Sequence, residues 1–223
     1  FYRQDRFADK RRKGMDPIEL AWLRDHGMTI DLFAGGGGWS LGFEEALGRP
    51  VDLALNHDRH AVTLHAVNHP RTRHLCQDIY AADPAKEIGG RPVFWLHASP
   101  SCTQFSRSRR ALPAEKQLRE MGWKVVDWVK EAMPVIITME NVAEWKQWGP
   151  IDDDGYPIKE RAGETWDRFI QAFRDLGYEM DWTIINSAEV GAPTARERLI
   201  VVGRRDGIEH EWPEITHGPL RRR

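Results

Sequence analysis

The sequence predicts an α/β domain, built on a mostly parallel sheet of seven strands with helices on both faces. Three observations carry this. Seven short apolar, β-prone segments recur along the 223 residues, helix-forming stretches separate them, and a run of glycines stands between the first strand and the next helix. Alternating strand and helix is the pattern of parallel strands joined by helical crossovers, which cover both faces of a sheet. A hydrophobic content of 41% over this length suits one well-buried domain.

Taken in order, residues 1–27 read as a basic N-terminal extension in which the amphipathic segment 16–26 predicts a helix. Strands are expected at 28–33, 51–55, 73–76, 93–96, 135–139, 182–185 and 199–202. The clearest helices are 40–47, 60–67, 115–131 and 164–176, the last closed by Gly177 in a C-cap position. Between the fifth strand and the last helix, 145–163 is rich in Gly, Pro and Asp, with Ile151-Asp152-Asp153-Asp154-Gly155-Tyr156-Pro157 at its centre, and reads as a surface excursion with a hairpin as its expected form. The main domain is therefore 28–217. A basic tail, 218–223, follows, and both charged ends are expected to be disordered.

Composition excludes several classes. Lys plus Arg (32) nearly balances Asp plus Glu (34), so any polyanion-binding surface is local rather than global. Two cysteines cannot build a disulfide framework, and no apolar run approaches a transmembrane span or a signal-peptide core. A reducing, cytoplasmic setting with no membrane partner is the expectation.

The glycine turn, Asp31-Leu32-Phe33-Ala34-Gly35-Gly36-Gly37-Gly38-Trp39-Ser40, has the strand-to-helix geometry of a nucleotide-binding turn. It lacks the third glycine of the dinucleotide fingerprint and the Gly-Lys-Ser/Thr of a P-loop. What remains is a glycine turn beside an acid, suited to a ligand with a cationic amino-acid part and an adenosyl part that stacks on an aromatic. S-adenosylmethionine has that shape. The second strand ends near His57 and Asp58, candidates for the ribose hydroxyls, and the third near Asp78 and Ile79, candidates for the adenine amino group and ring face. His57, His60, His65, His69 and His74 cluster in sequence, with His65 and His69 spaced i, i+4. No His-Glu-x-x-His pattern accompanies them, so a solvated or capping role is expected and no metal site. Cys102 follows the apolar run 93–96 in the loop at a strand's carboxyl end, where open α/β sheets keep their chemistry.

Four segments in order carry a family resemblance: Asp31-Leu32-Phe33-Ala34 with its glycines, Pro100-Ser101-Cys102-Thr103-Gln104-Phe105-Ser106, Met139-Glu140-Asn141-Val142, and Gly191-Ala192-Pro193-Thr194-Ala195-Arg196-Glu197-Arg198. Together they resemble the ordered motifs of DNA cytosine-5 methyltransferases, most closely the phage and prophage branch, over residues 28 to about 217. The resemblance implies a Rossmann-like class I AdoMet-dependent methyltransferase fold, S-adenosylmethionine as cofactor, and DNA as partner. It implies that Cys102 is the nucleophile that attacks cytosine carbon 6. Glu140 is then the acid at ring nitrogen 3 and the holder of the exocyclic amine, Arg198 reaches the cytosine and Arg196 helps place the catalytic loop. Cofactor contacts are expected from Asp31, Phe33, Ala34, Gly35, Gly36, Gly38, His57, Asp58, Asp78, Ile79 and Pro100. Arg107, Arg109 and Arg110 after the nucleophile are the expected phosphate-side element, and the reaction requires the target base to be flipped out of the stack.

The sequence departs from the family pattern at Ser101, Thr103 and Thr194, and His57 stands where a ribose-binding glutamate is expected. In the family a target-recognition domain and a Gly-Asn-Ser-Val motif follow the last matched segment, and neither occurs in these 223 residues. Segment 16–26 is a candidate to dock where the family's terminal helix lies. The expected function is thus methyl transfer to carbon 5 of cytosine in DNA, with the recognition half in a further region or a second chain. RNA cytosine-5 methylation, a subunit of a split enzyme, and a non-catalytic cofactor- or DNA-binding remnant are the alternatives.

Overall fold

The computed structural model describes residues 14–101 and 116–218. Seven strands form one sheet: β1 Met28–Leu32, β2 Leu53–Asn56, β3 Arg73–Cys76, β4 Val93–Ala98, β5 Ile136–Asn141, β6 Glu179–Asn186 and β7 Glu197–Arg204, in the order β3-β2-β1-β4-β5-β7-β6. The first five run parallel. β7 enters antiparallel to β5, and β6 pairs antiparallel with β7 at the edge. All seven predicted strands are present, with ends shifted by a few residues.

Burial explains the strand order. β1 is buried at every position, as a central parallel strand covered on both faces must be, whereas the edge strands β3 and β6 are half exposed. The chain leaves β1 toward β2 on one side and meets β4 on the other, so the connections at their carboxyl ends diverge and leave a crevice. That crevice is where the site lies.

The helices are α1 Pro17–His26, α2 Gly38–Leu47, α3 Arg59–Asn68, α4 Pro84–Ile88, α5 Lys116–Ala132 and α6 Glu164–Asp175. Asp16, Asp58 and Asp83 cap α1, α3 and α4 through their carboxylates. Sequence pattern did not mark α4, because five residues are too few to show a helical period. Gly177 follows α6 with φ +90°, and Tyr178 N–H returns to the Phe173 carbonyl, the C-terminal closure expected there. Helix α1 packs on the sheet: Leu23 is buried with Phe94, Val135 and Ile136.

Segment 145–163 corrects the expectation of a wholly surface excursion. Its tip is the predicted hairpin, with Ile151 bridged to Pro157 and the Asp152 carboxylate accepting from Asp154 N and Tyr156 N. Its base is core. Trp145 and Trp148 are buried against Trp166 and Phe169, because a tryptophan in a Gly/Pro-rich stretch still removes a large apolar area from water by turning inward.

Candidate active site

The site starts at the end of β1. Phe33 adopts φ +61°, which is costly for a residue with a Cβ and is kept here by hydrogen bonds on both sides: Ser99 Oγ donates to the Phe33 carbonyl (3.2 Å) and Ala34 N donates to Leu55 O (3.1 Å). Gly37, at φ +94°, then starts α2, and no side chain caps that helix's first turn. The unpaired N–H groups of the first turn remain free to face a ligand.

A cavity of about 370 Å³ opens over this turn. Asp31, Phe33, Ala34, Gly35, Gly38 and Trp39 line it from the turn, His97, Ser99, Pro100 and Ser101 from the end of β4, Glu140 and Asn141 from β5, and Arg196 and Arg198 from the start of β7. A Cβ on Gly38 would meet nothing within 4 Å, so glycine leaves room where a ligand can approach the backbone. Four sequence segments far apart in the chain thus converge on one crevice.

The predicted residues divide in two. Asp31, Phe33, Ala34, Gly35, Gly38, Pro100, Glu140, Arg196 and Arg198 line the cavity. Gly36, His57, Asp58, Asp78 and Ile79 do not. Gly36 faces Leu64, Asp58 is occupied in capping α3, Asp78 accepts from Tyr80 N (2.9 Å), and Ile79 is buried in the core. Cys102, Arg107, Arg109 and Arg110 lie outside the described residues. The backbone that leads to Cys102 is anchored: Asn141 Nδ2 donates to the Pro100 carbonyl at 3.1 Å from a buried position.

Sequence reasoning missed Trp39, His97, Ser99, Ser101 and Asn141 as lining residues. Trp39 adjoins the glycines and stacks on His97, ring centroids 4.4 Å apart and 5° from parallel. His97 could have been found as the single polar residue in an otherwise apolar strand, Val93-Phe94-Trp95-Leu96-His97-Ala98.

Electrostatics at the turn centre on Asp31, which is fully buried. Burial pushes its carboxyl up to about 7 against the opposing effect of a 2.7 Å hydrogen bond from Ser40 Oγ. Its other oxygen, Oδ1, is buried without a hydrogen-bond partner. Behind it runs a polar chain: His65 Nε2 lies 3.1 Å from Ser40 Oγ, and His65 Nδ1 lies 2.9 Å from His74 Nε2. One proton per bond is satisfied if His74 donates to His65, His65 to Ser40 and Ser40 to Asp31. Burial lowers His65 to about 4. Of the five clustered histidines, His57 and His60 are exposed as expected from sequence, whereas His65 and His69 are buried because α3 turns its i, i+4 face onto the glycine turn. Among the described residues no group of three His, Cys, Asp or Glu side chains is arranged to hold a metal ion.

At the opposite wall Glu140 Oε1 lies 3.3 Å from Arg198 Nε and 3.8 Å from an Arg196 guanidinium nitrogen. The loop before β7 is tied down by Ser187, whose N and Oγ both donate to Arg196 O. An acid held by two guanidiniums at the mouth of a cavity is a preorganised acceptor and donor surface for a planar polar ligand.

The family model for C-5 cytosine-specific DNA methylases matches residues 27–220. The chain belongs to the C-5 cytosine-specific DNA methylase family. Among relatives of this family, it is 29% identical to the Type II methyltransferase M.SacI of Streptomyces achromogenes over 210 residues, covering 85% of this chain and 50% of that protein. It is 30% identical to M1.HphI of Haemophilus parahaemolyticus over 193 residues, covering 84% and 48%. The chain thus spans about half the length of these methylase relatives. Among solved structures, a prophage-encoded E. coli protein described as a DNA modification methyltransferase superposes with TM-score 0.67 at 23% identity, over 87% of this chain and 52% of that one. A Spodoptera frugiperda DNMT2 variant superposes with TM-score 0.63 at 18% identity, over 86% and 54%. The methylase fold here is accordingly the Rossmann-like α/β fold of AdoMet-dependent methyltransferases. No helix among the described residues is long and apolar enough to cross a membrane.

Proposed function

We propose that residues 28–217 are the catalytic domain of an enzyme that methylates carbon 5 of cytosine in DNA, with S-adenosylmethionine as cofactor and Cys102 as nucleophile. The observation that carries this is the meeting of Glu140, Arg196 and Arg198 with the glycine turn and the Pro100-Ser101 segment in one cavity. The buried, unpartnered Asp31 Oδ1 and the open space at Gly38 fit a ligand with a cationic amino group. Asp31, Phe33, Ala34, Gly35, Gly38 and Pro100 would hold it. S-adenosylmethionine, when bound, supplies an electrophilic methyl group on a sulfonium.

The chain's own residues account for the remaining chemistry. Carbon 5 of cytosine is a poor nucleophile until a thiolate adds at carbon 6 and pushes electrons into the ring, the role assigned to Cys102. Protonation at ring nitrogen 3 by Glu140 makes that addition easier, and its carboxyl then accepts from the exocyclic amine. Arg198 fixes Glu140 and contacts the base, while Arg196 braces the loop that carries the thiol. Loss of the carbon 5 proton to a base then expels the thiol. A stacked cytosine cannot reach this wall, so the base is flipped at a cost of a few kcal/mol. Coverage of about half of the relatives' length supports target recognition by a further region or a second chain.

Capture on an oligonucleotide carrying 5-fluorocytosine tests the reading, because fluorine at carbon 5 blocks the elimination and leaves the thiol attached. With the recognition region supplied, covalent capture on DNA that needs the cofactor and disappears in Cys102→Ser is the expected result. Capture only on RNA assigns an RNA substrate instead, and cofactor binding without capture on either assigns a non-catalytic role.

A further inference from the structure

Asp31, His97 and Thr138 stand side by side on neighbouring strands: Asp31 is in register with His97 on β4, and His97 with Thr138 on β5. Residues in register share a face of the sheet, so this rung sets three polar groups in a row through an otherwise apolar centre. Asp31 and His97 line the cavity.

One assignment of protons gives every donor around His97 a partner within the rung. Trp95 Nε1 lies 2.9 Å from Thr138 Oγ1, and an indole N–H can only donate, so the hydroxyl oxygen is the acceptor there. The hydroxyl proton is then free for His97 Nδ1, also 2.9 Å away. That leaves the proton of the neutral ring on Nε2. Burial lowers His97 to about 3, which keeps the ring neutral at working pH. Among the described residues nothing takes up Nε2, and stacking on Trp39 fixes the plane in which it points. The same cavity holds the buried, unpartnered Asp31 Oδ1 and the first turn of α2, which no side chain caps.

An orphaned acid beside an orphaned donor is complementary to a zwitterion. We propose that this rung reads the amino-acid end of S-adenosylmethionine, Asp31 pairing with its ammonium group and His97 Nε2–H donating to its carboxylate. The proposal rests on the reading of the cavity as the cofactor site. His97 is then a binding residue, and Thr138 a positioning residue that acts by holding the tautomer.

Calorimetric titration of the whole chain with S-adenosylmethionine and with its decarboxylated analogue, which keeps the amine and lacks the carboxylate, separates the outcomes. His97→Phe keeps the stack on Trp39 and removes the donor. It is expected to weaken S-adenosylmethionine roughly 10- to 100-fold, as for a hydrogen bond to a charged group, and to change the decarboxylated analogue by less than about twofold. Equal losses for both ligands, or no loss for either, overturn the assignment while leaving the cofactor reading intact. A wild-type chain that binds neither ligand overturns both. Should His97→Phe fail to fold, Thr138→Val carries the same comparison, and nitrogen-15 NMR of the wild-type imidazole adds a ligand-free readout: a proton on Nδ1 instead of Nε2 overturns the proposal.

Discussion

His69 Nε2 lies 3.1 Å from the carbonyl oxygen of Gly37 and occupies the space that a Cβ on residue 37 would need. Helix α3 therefore braces the turn that starts α2. Gly37→Ala meets a left-handed φ of +94° and a buried ring at once, so it is expected to lower stability by about 2–4 kcal/mol. Denaturant unfolding measures this. In the double variant with His69→Ala the collision is relieved, so the two losses fall short of their sum.

Asp31 predicts two opposite pH dependences. Its carboxyl is held near 7 in the folded chain against about 3.9 when unfolded. Below about pH 4 both states hold the proton; between about 4 and 7 only the folded state does, and the Asp31 contribution to stability falls by up to about 1.4 kcal/mol per pH unit. Above about 7 that loss is complete. Binding of a cationic ligand needs the carboxylate, so affinity rises across the upper part of the same window and levels off beyond it. Burial holds His65 near 4 and His97 near 3 and lowers His74, so each of these histidines adds a stability that rises with pH over the same window and opposes the Asp31 slope. Asp31→Asn removes the Asp31 part of both curves, so the stability difference between wild type and Asp31→Asn falls from about pH 4 to 7, and an unchanging difference would assign the effect to another group.

Glu140→Gln keeps the shape of the carboxyl group and removes its acid. Methyl transfer is expected to fall by about 10²- to 10⁴-fold, the range for one general acid, with cofactor affinity retained. Adding Arg198→Ala to Glu140→Gln costs less than it does alone, because the 3.3 Å contact it loses has already been weakened. Single-turnover kinetics on a DNA substrate measures both.

Asn141 ties β5 to the segment that carries the thiol. Asn141→Ala leaves the Pro100 carbonyl without its buried donor and is expected to cost about 1–3 kcal/mol in stability. Capture on the 5-fluorocytosine oligonucleotide slows, while cofactor affinity stays close to wild type. Slower capture with unchanged stability would place the effect elsewhere.

The strands were legible because apolar runs such as Val93 to Leu96 are long enough to bury on their own and end in polar turns. The glycine turn and the Glu140, Arg196 and Arg198 wall were legible as motifs, since chemistry constrains residue type there. Burial of polar side chains was not. Nothing in the letters at His65 and His69 says that α3 presses them onto Gly37, and Trp145 sits in a stretch whose Gly, Pro and Asp content masks a core anchor. On the side proposed for the adenosyl group, Asp58 and Asp78 end strands as expected, and one oxygen of each carboxylate accepts from its own backbone, His60 N and Tyr80 N. Local turn bonds of this kind compete with ligand contacts and leave no distinct sequence mark.

The Thr138 hydroxyl serves Trp95 and His97 together, and this couples the three positions. A drift from threonine to valine would strand an indole N–H and release an imidazole in one step, so single changes here are expected to cost more than changes made in concert. Across related sequences, positions 95, 97 and 138 are expected to covary more tightly than their apolar neighbours Leu96 and Ile137. Repair of a Thr138 variant by selection is expected to begin at position 95.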